Sequence, residues 1–506
     1  MRPLHSLVLL GALAFLASST QAEVKLPSFF SDHMVLQRGM PVPVWGNARD
    51  GEKVTVQFQN QTVSTTAKDG RWMVKLDPLK AGGPFDLKVA GDNALTIGDV
   101  LVGEVWVCSG QSNMERQLGL RKGQQPLKNW EQEAASANYP MLRHFGVVRN
   151  TSDTPLTDVT GKWEICTPQT VPSFTAVGYY FGRDLLKALN VPIGLLHTSV
   201  GGTPAEAWTS KEALESNPML QAIFTRYADA VKNFPEAKEK HRVAMEAHAQ
   251  AAAAATAEGK TPPPAPKAPQ DPTRSSSRPA GLYNAMLAPL QPYAIRGVIW
   301  YQGESNNGRH AEYQTLFPAM IANWRQAWKQ GDFPFLFVQI APFKNMSPEI
   351  REAQLLSWKK TPLTAMVVTT DHGDANDIHP TEKEPVGERL ALAARALAYN
   401  EKIEYSGPVF EKLKIDGPRA VLSFSHLGGG LVAKDGPLKG FAIAGADGTF
   451  FPAEGSIKGD TVVVTSKDVA APAAVSYGWS NVPDINLFNK AGLPASPFRT
   501  NPPAAP

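Results

Sequence analysis

The stretch VLVGEVWVCSGQSNM, residues 100–114, decides how the chain is read. It begins as a nearly unbroken apolar run and ends in a polar turn, Gln111-Ser112-Asn113. Such a run fits a strand in a parallel sheet covered on both faces. In an open sheet of that kind, ligands bind in the crevice at the carboxyl ends of the strands. Ser112 therefore stands where a nucleophile would stand. The turn is not a G-x-S-x-G elbow, because Met114 occupies the place of the last glycine.

Working outward, VPIGLLHTSV, RGVIWYQGES, FPFLFVQIA and LTAMVVTTD repeat the pattern of an apolar run entering a polar loop. Helical spacing separates them. TAVGYYFGRDLLKALN is one such segment, EYQTLFPAMIANWRQAWKQG is a second with Gly331 as its stop, and EPVGERLALAARALAYN is a third that ends at Asn400. Strands alternating with amphipathic helices predict an α/β domain of three layers, α/β/α, over 101–405. Residues 215–280 interrupt it. There a helix-prone stretch, KEKHRVAMEAHAQAAAAATAEG, gives way to the Pro/Ser-rich KTPPPAPKAPQDPTRSSSRP, read as an insertion. Short alternating runs over 23–100 predict an N-terminal β-sandwich, and similar runs over 406–495 predict a C-terminal β region. Residues 496–506 read as a flexible tail.

The chain has 506 residues, 43% hydrophobic and 19% charged, the composition of a globular protein. Its N-terminus, MRPLHSLVLLGALAFLASSTQAEV, has one basic residue, an apolar core and small residues at Thr20 and Ala22. That is the pattern of a secretory signal peptide over 1–22, cleaved near Ala22, and its apolar core is shorter than a membrane span. The exported protein is expected in the periplasm or outside the cell. Formal net charge is +3, and +2 once Arg2 leaves with the leader, with no basic run. That argues against a nucleic-acid partner. The two cysteines, Cys108 and Cys166, form neither a disulfide framework nor a metal-binding pair.

Four strand ends carry candidate chemistry. A serine hydroxyl needs a neighbouring base before it can attack. In LLHTSVGGTPAEAW, Gly201 and Gly202 can bring backbone N–H groups close to a developing oxyanion. In GVIWYQGESN, the amides of Gln302 and Asn306 are neutral donors suited to the same task, and Glu304 lies between them. In DHGDANDIHP, His379 follows Asp377 by two residues, with Asp371, His372 and Asp374 nearby. A histidine base needs its tautomer oriented, which a carboxylate provides. The rival for this stretch is a metal site. The Asp spacing does not match an EF-hand loop and there is no HExxH, so neither a metal nor another cofactor is expected.

Taken together, GEVWVCSGQSNM, SVGGTPAEAW, WYQGESN and DIHP resemble the signature blocks of the sialate O-acetylesterase family of SGNH (GDSL-like) hydrolases. FPFLFVQIAPF, IREAQ and LYNAMLAPL add to the resemblance, which runs from about residue 25 to about 490 apart from 215–280. The resemblance implies metal-free deacetylation of an O-acetylated carbohydrate through an acyl-serine. Ser112 would be the nucleophile and His379 the base. Gly201 or Gly202, with Gln302 or Asn306 and the Ser112 N–H, would form the oxyanion hole. SGNH enzymes often place Asp three residues before the histidine, but Asn376 stands there. The acid is therefore open among Asp377, Asp374, Glu304 and a backbone carbonyl. Trp208 is a candidate for the sugar site or for the core. The alternatives are an acetylxylan or pectin acetylesterase and, in another class, a non-catalytic glycan-binding protein.

Overall fold

A computed structural model describes residues 23–500, so the expected leader lies outside the described residues. The stretch that opened the analysis belongs to a 17-residue strand, Ala94–Gly110, buried without interruption from Val100 onward. It is the centre of a parallel sheet. On one side lies Ile193–His197, then Tyr139–Gly146 and the antiparallel edge Trp163–Cys166. On the other side lie Gly297–Tyr301, Phe335–Val338 and Thr364–Val367. Register is set by pairs such as Leu195 with Trp106 and Val298 with Val107.

Both faces are covered, and alternation along the central strand shows it. Val105 and Val107 join one apolar cluster with Trp300, Phe317 and Trp324, whereas Trp106 and Cys108 join the other with Phe181, Leu390 and Ala394. The helices Ala176–Leu189 and Glu384–Tyr399 cover the second face. Each ends at an asparagine in the left-handed region, Asn190 and Asn400, a residue type that tolerates that conformation at a helix end. The helix His310–Trp328 stops before Gly331, and its cap is Lys329 at φ +55°.

The expected boundary at 100/101 falls inside the central strand. The first part of Ala94–Gly110 pairs antiparallel with Gly82–Ala90 and parallel with Val35–Gln37, forming one N-terminal sheet with Lys53–Phe58 and Gln61–Thr66. The hairpin of Val42–Asn47 with Arg71–Leu76 makes a second sheet. One continuous strand thus ties this region to the parallel sheet. Glu104, fully buried, adds a clamp, accepting from Arg38 at 2.6 Å, Arg296 at 2.7 Å and Gln37 at 3.0 Å.

Within the insertion, residues Gln221–Ala257 form a single 37-residue helix. The C-terminal β region contains sheets built from Val409–Asp416, Arg419–Ser425, Thr461–Thr465 and Glu454–Lys458, and from Phe450–Pro452, Phe441–Ala444 and Ala474–Tyr477. The flexible tail expected over 496–506 needs correction for its described residues, 496–500, while 501–506 lie outside the described residues. Phe498–Arg499 pairs with Ser476 and Tyr477, Phe498 stacks on Phe410 at 4.6 Å, and Arg499 forms an ion pair with Glu352. A buried ring and a paired guanidinium outweigh the Pro-rich composition that suggested disorder.

Candidate active site

The central strand ends at Gly110, where φ is +136° and a Cβ would lie 2.2 Å from the Tyr301 carbonyl oxygen. Only glycine lets the chain turn there against its neighbour. The next residues form the short helix Ser112–Glu115, with Ser112 partly exposed at its first position. A first-turn N–H has no partner inside its own helix, and the Ser112 N–H makes no hydrogen bond among the described residues. Strand order reverses about this central strand, so Ser112 sits at the switch point where the sheet's crevice opens. Ser109, three residues earlier, is fully buried and donates to the Thr198 carbonyl.

All three of the other strand ends meet this helix directly. Asn113 donates from Nδ2 to Glu304 Oε1 at 2.8 Å and to the Ile378 carbonyl at 3.0 Å. The residue after Ser112 is thereby bonded to the residue before His379. Gly201 packs against Ser112: a Cβ on it would lie 3.3 Å from Ser112 Cβ and 2.9 Å from Glu115 Oε2. The Gly201 N–H donates to Glu115 Oε2 at 3.2 Å, and Arg121 pairs with the same oxygen at 2.7 Å. The Gly202 N–H is without an acceptor among the described residues.

Gln302 and Asn306 are fully buried and turned to a structural use. Gln302 Nε2 donates to Asn306 Oδ1 at 2.7 Å and to the Thr203 carbonyl at 3.3 Å, while Asn306 Nδ2 donates to Glu206 Oε2 at 2.9 Å. They lock the turn after Gly297–Tyr301 to the loop that carries Gly201 and Gly202. Gln111, which the sequence reading passed over, accepts from the Ser305 N–H at 3.1 Å and leaves its amide nitrogen without an acceptor among the described residues.

Around His379 the three candidate acids separate. Asp377 Oδ1 accepts the His379 backbone N–H at 2.8 Å and lies 3.5 Å from His379 Nδ1. Asp374 accepts the N–H groups of Asn376 and Asp377 and so shapes the loop. Glu304 is engaged with Asn113. Asp371 is clamped by both arms of Arg389 at 2.8 and 2.6 Å, and His372 pairs with Glu382 at 2.5 Å. Among the described residues no group of three or more His, Cys, Asp or Glu side chains is arranged to hold a metal ion.

Burial, and then the positive charge of Lys383, pull the His379 imidazole below its ordinary value, while Asp377 opposes them. The ring is therefore neutral near pH 7, as a general base must be. Lys383 itself is 2% exposed and burial pushes it down to about 7. Trp208 is wholly buried, with Nε1 donating to Thr203 Oγ1 at 2.9 Å, which settles it in the core. Cys108 and Cys166 are both free and buried, and burial pushes both thiols up, Cys166 to about 12.

A family described as "Carbohydrate esterase, sialic acid-specific acetylesterase" matches residues 102–248 and 274–396. The chain belongs to this family. The esterase is accordingly a serine-type carbohydrate O-acetylesterase. It is 31% identical over 469 residues to a sialate O-acetylesterase of Rattus norvegicus, covering 83% of this chain and 82% of the relative. It is also 31% identical to the sialate O-acetylesterase of Homo sapiens, over 79% of this chain and 76% of the relative. A crystal structure of a carbohydrate acetylesterase from Xanthomonas citri aligns with TM-score 0.80 and 38% identity, over 95% of this esterase and all of that chain. The family match continues through 248 and resumes at 274, so the stretch left out of it is narrower than the 215–280 expected.

Proposed function

We propose that this esterase hydrolyses O-acetyl esters of sialic acid through an acyl-serine on Ser112, with His379 as base and Asp377 as the acid that orients it. The observation that carries the proposal is the Asn113 amide bridging the nucleophile turn to the Ile378 carbonyl. It joins a partly exposed serine to a loop whose histidine has a carboxylate 3.5 Å from Nδ1. The sugar is supported by the curated relatives, which are sialate O-acetylesterases.

In this mechanism His379 takes the Ser112 hydroxyl proton as Oγ attacks the acetyl carbonyl. The C=O pair moves onto oxygen, and the oxyanion is met by the Ser112 N–H and a glycine N–H of the Gly201-Gly202 pair. Gly202 is ready as it stands, whereas Gly201 must first part from Glu115. Gln302 and Asn306 hold that loop in place. Collapse of the tetrahedral adduct breaks the bond to the sugar oxygen, which leaves with the proton from His379. Water, deprotonated by the same ring, then releases acetate and restores Ser112. Asp377 keeps the ring oriented and stabilises the imidazolium without taking its proton. The leader pattern over 1–22 supports action after export, in the periplasm or outside the cell, and the mature N-terminus would be Glu23.

The test is acetate release from O-acetylated sialic acid, xylan and pectin oligosaccharides by wild type and Ser112→Ala. The expected result is release from the sialic acid ester and essentially none from the folded variant. Preference for xylan or pectin would replace the sugar. Release by Ser112→Ala close to wild type would remove the nucleophile, and no release from any ester would favour a glycan-binding protein.

A further inference from the structure

The nucleophile turn, the turn after Gly297–Tyr301 and the His379 loop converge on one buried side chain that the mechanism does not use. Lys383 Nζ donates to Asn113 Oδ1 at 2.6 Å. The same Asn113 amide donates to Glu304 Oε1 and to the Ile378 carbonyl. Lys383 thus sets which way the Asn113 amide faces, because its ammonium can only donate and must meet the oxygen. With the amide so turned, Nδ2 faces the carbonyl next to His379. Burying an ammonium is costly, and such groups are rare unless they are paired. This one lies 5.5 Å over the Tyr301 ring and has Glu304 across the amide.

We propose that Lys383 is a positioning residue of the esterase site: through Asn113 it fixes the His379 loop against the Ser112 turn. The proposal rests on the reading of Ser112 and His379 given above. The charged and titratable groups facing this cluster are Glu304 and Tyr301 from the neighbouring strand end, and Arg116 and Arg121 from beyond the nucleophile helix. Asp377 faces it from the histidine loop. Asp377 draws the His379 value up, while Lys383, Arg121 and Arg116 draw it down. Lys383 is protonated below about pH 7. Its charge is thus present on the acidic side of neutrality, where His379 gains a proton. Removing that charge raises the histidine value, and the acidic limb of the rate profile moves to higher pH.

Lys383→Met keeps the stem and removes both the donor and the charge, whereas Lys383→Gln keeps a donor without the charge. The measurement is kcat, KM and the pH profile of kcat/KM on p-nitrophenyl acetate and O-acetylated sialic acid, with circular dichroism as the check on folding. A misplacement of about 1 Å can cost about 10² in rate. Lys383→Met should lose about 10- to 100-fold in kcat with KM within about twofold, and its acidic limb should move upward. Lys383→Gln should recover part of the kcat but keep the shifted limb. Folded Lys383→Met with wild-type kcat and an unmoved limb would overturn the proposal. So would a loss of the fold in both variants, which would leave Lys383 a purely structural role. Ser112→Ala is measured alongside: if it stays active, the underlying site reading fails, whereas an inactive Ser112→Ala beside an unaffected Lys383→Met refutes the lysine alone.

Discussion

Asp377→Asn tests the carboxylate that lies beside His379 Nδ1. The substituted amide can still accept the His379 backbone N–H through its oxygen, as Asp377 does at 2.8 Å, so the loop should keep its shape. What disappears is the negative charge 3.5 Å from His379 Nδ1. Opposite unit charges at that distance attract by about 1.2 kcal/mol in water and about 4.7 kcal/mol at an effective dielectric of 20. The two side chains are 22% and 24% exposed, between those limits. About 2–3 kcal/mol of imidazolium stabilisation is then lost, or about 30- to 150-fold in kcat. This is less than the roughly 10⁴ observed where a carboxylate alone fixes the tautomer. Because Asp377 raises the His379 value, its removal should also move the acidic limb of kcat/KM to lower pH. The assay is acetate release by pH-stat on O-acetylated sialic acid, with Asp374→Asn and Glu304→Gln in parallel. Wild-type turnover in Asp377→Asn, with collapse in either of the others, would refute the assignment.

Gly201→Ala should reduce kcat by about 10-fold or more in a folded protein, because its Cβ would press on Ser112 and Glu115 at 3.3 and 2.9 Å; unchanged turnover would show that the loop can retreat. Prolonged EDTA treatment should leave kcat/KM unchanged, since Asp371, His372 and Asp374 are already engaged with Arg389, Glu382 and the loop backbone. A loss restored by one divalent cation would make that loop a ligand cluster. Glu104→Ala should lower Tm by several degrees, because it strands Arg38 and Arg296 at the junction of the N-terminal sheets with the catalytic sheet. Breaking a buried pair costs about 3–5 kcal/mol, and the 30% and 24% exposure of the two arginines reduces that to about 2–3 kcal/mol. An unchanged Tm would mean that water replaces the carboxylate.

The layered α/β core was legible in the sequence because it is written in local patterns. Nearly unbroken apolar runs mark strands buried on both faces, and helical spacing between them marks the covering layers. Strand ends that carry Ser112, the two glycines and His379 were legible for the same reason, since polar residues after such a run must lie at the sheet's edge. Tertiary structure decided which of those groups touch. Asn113 and Lys383 have ordinary local contexts, a turn after a strand and a lysine before a helix, and nothing nearby in sequence tells that they meet across 270 residues. Gln302 and Asn306 read as free donors until their partners, Thr203 and Glu206, were brought in from a separate strand end. Trp208 was left open, and Phe498 was read as part of a flexible tail, for the matching reason: burial belongs to the neighbours a fold supplies, and composition around a residue does not carry it. Local sequence determines what each segment prefers to be, whereas hydrogen-bond partners, desolvation and the pKa values that follow from them depend on groups far apart in the chain.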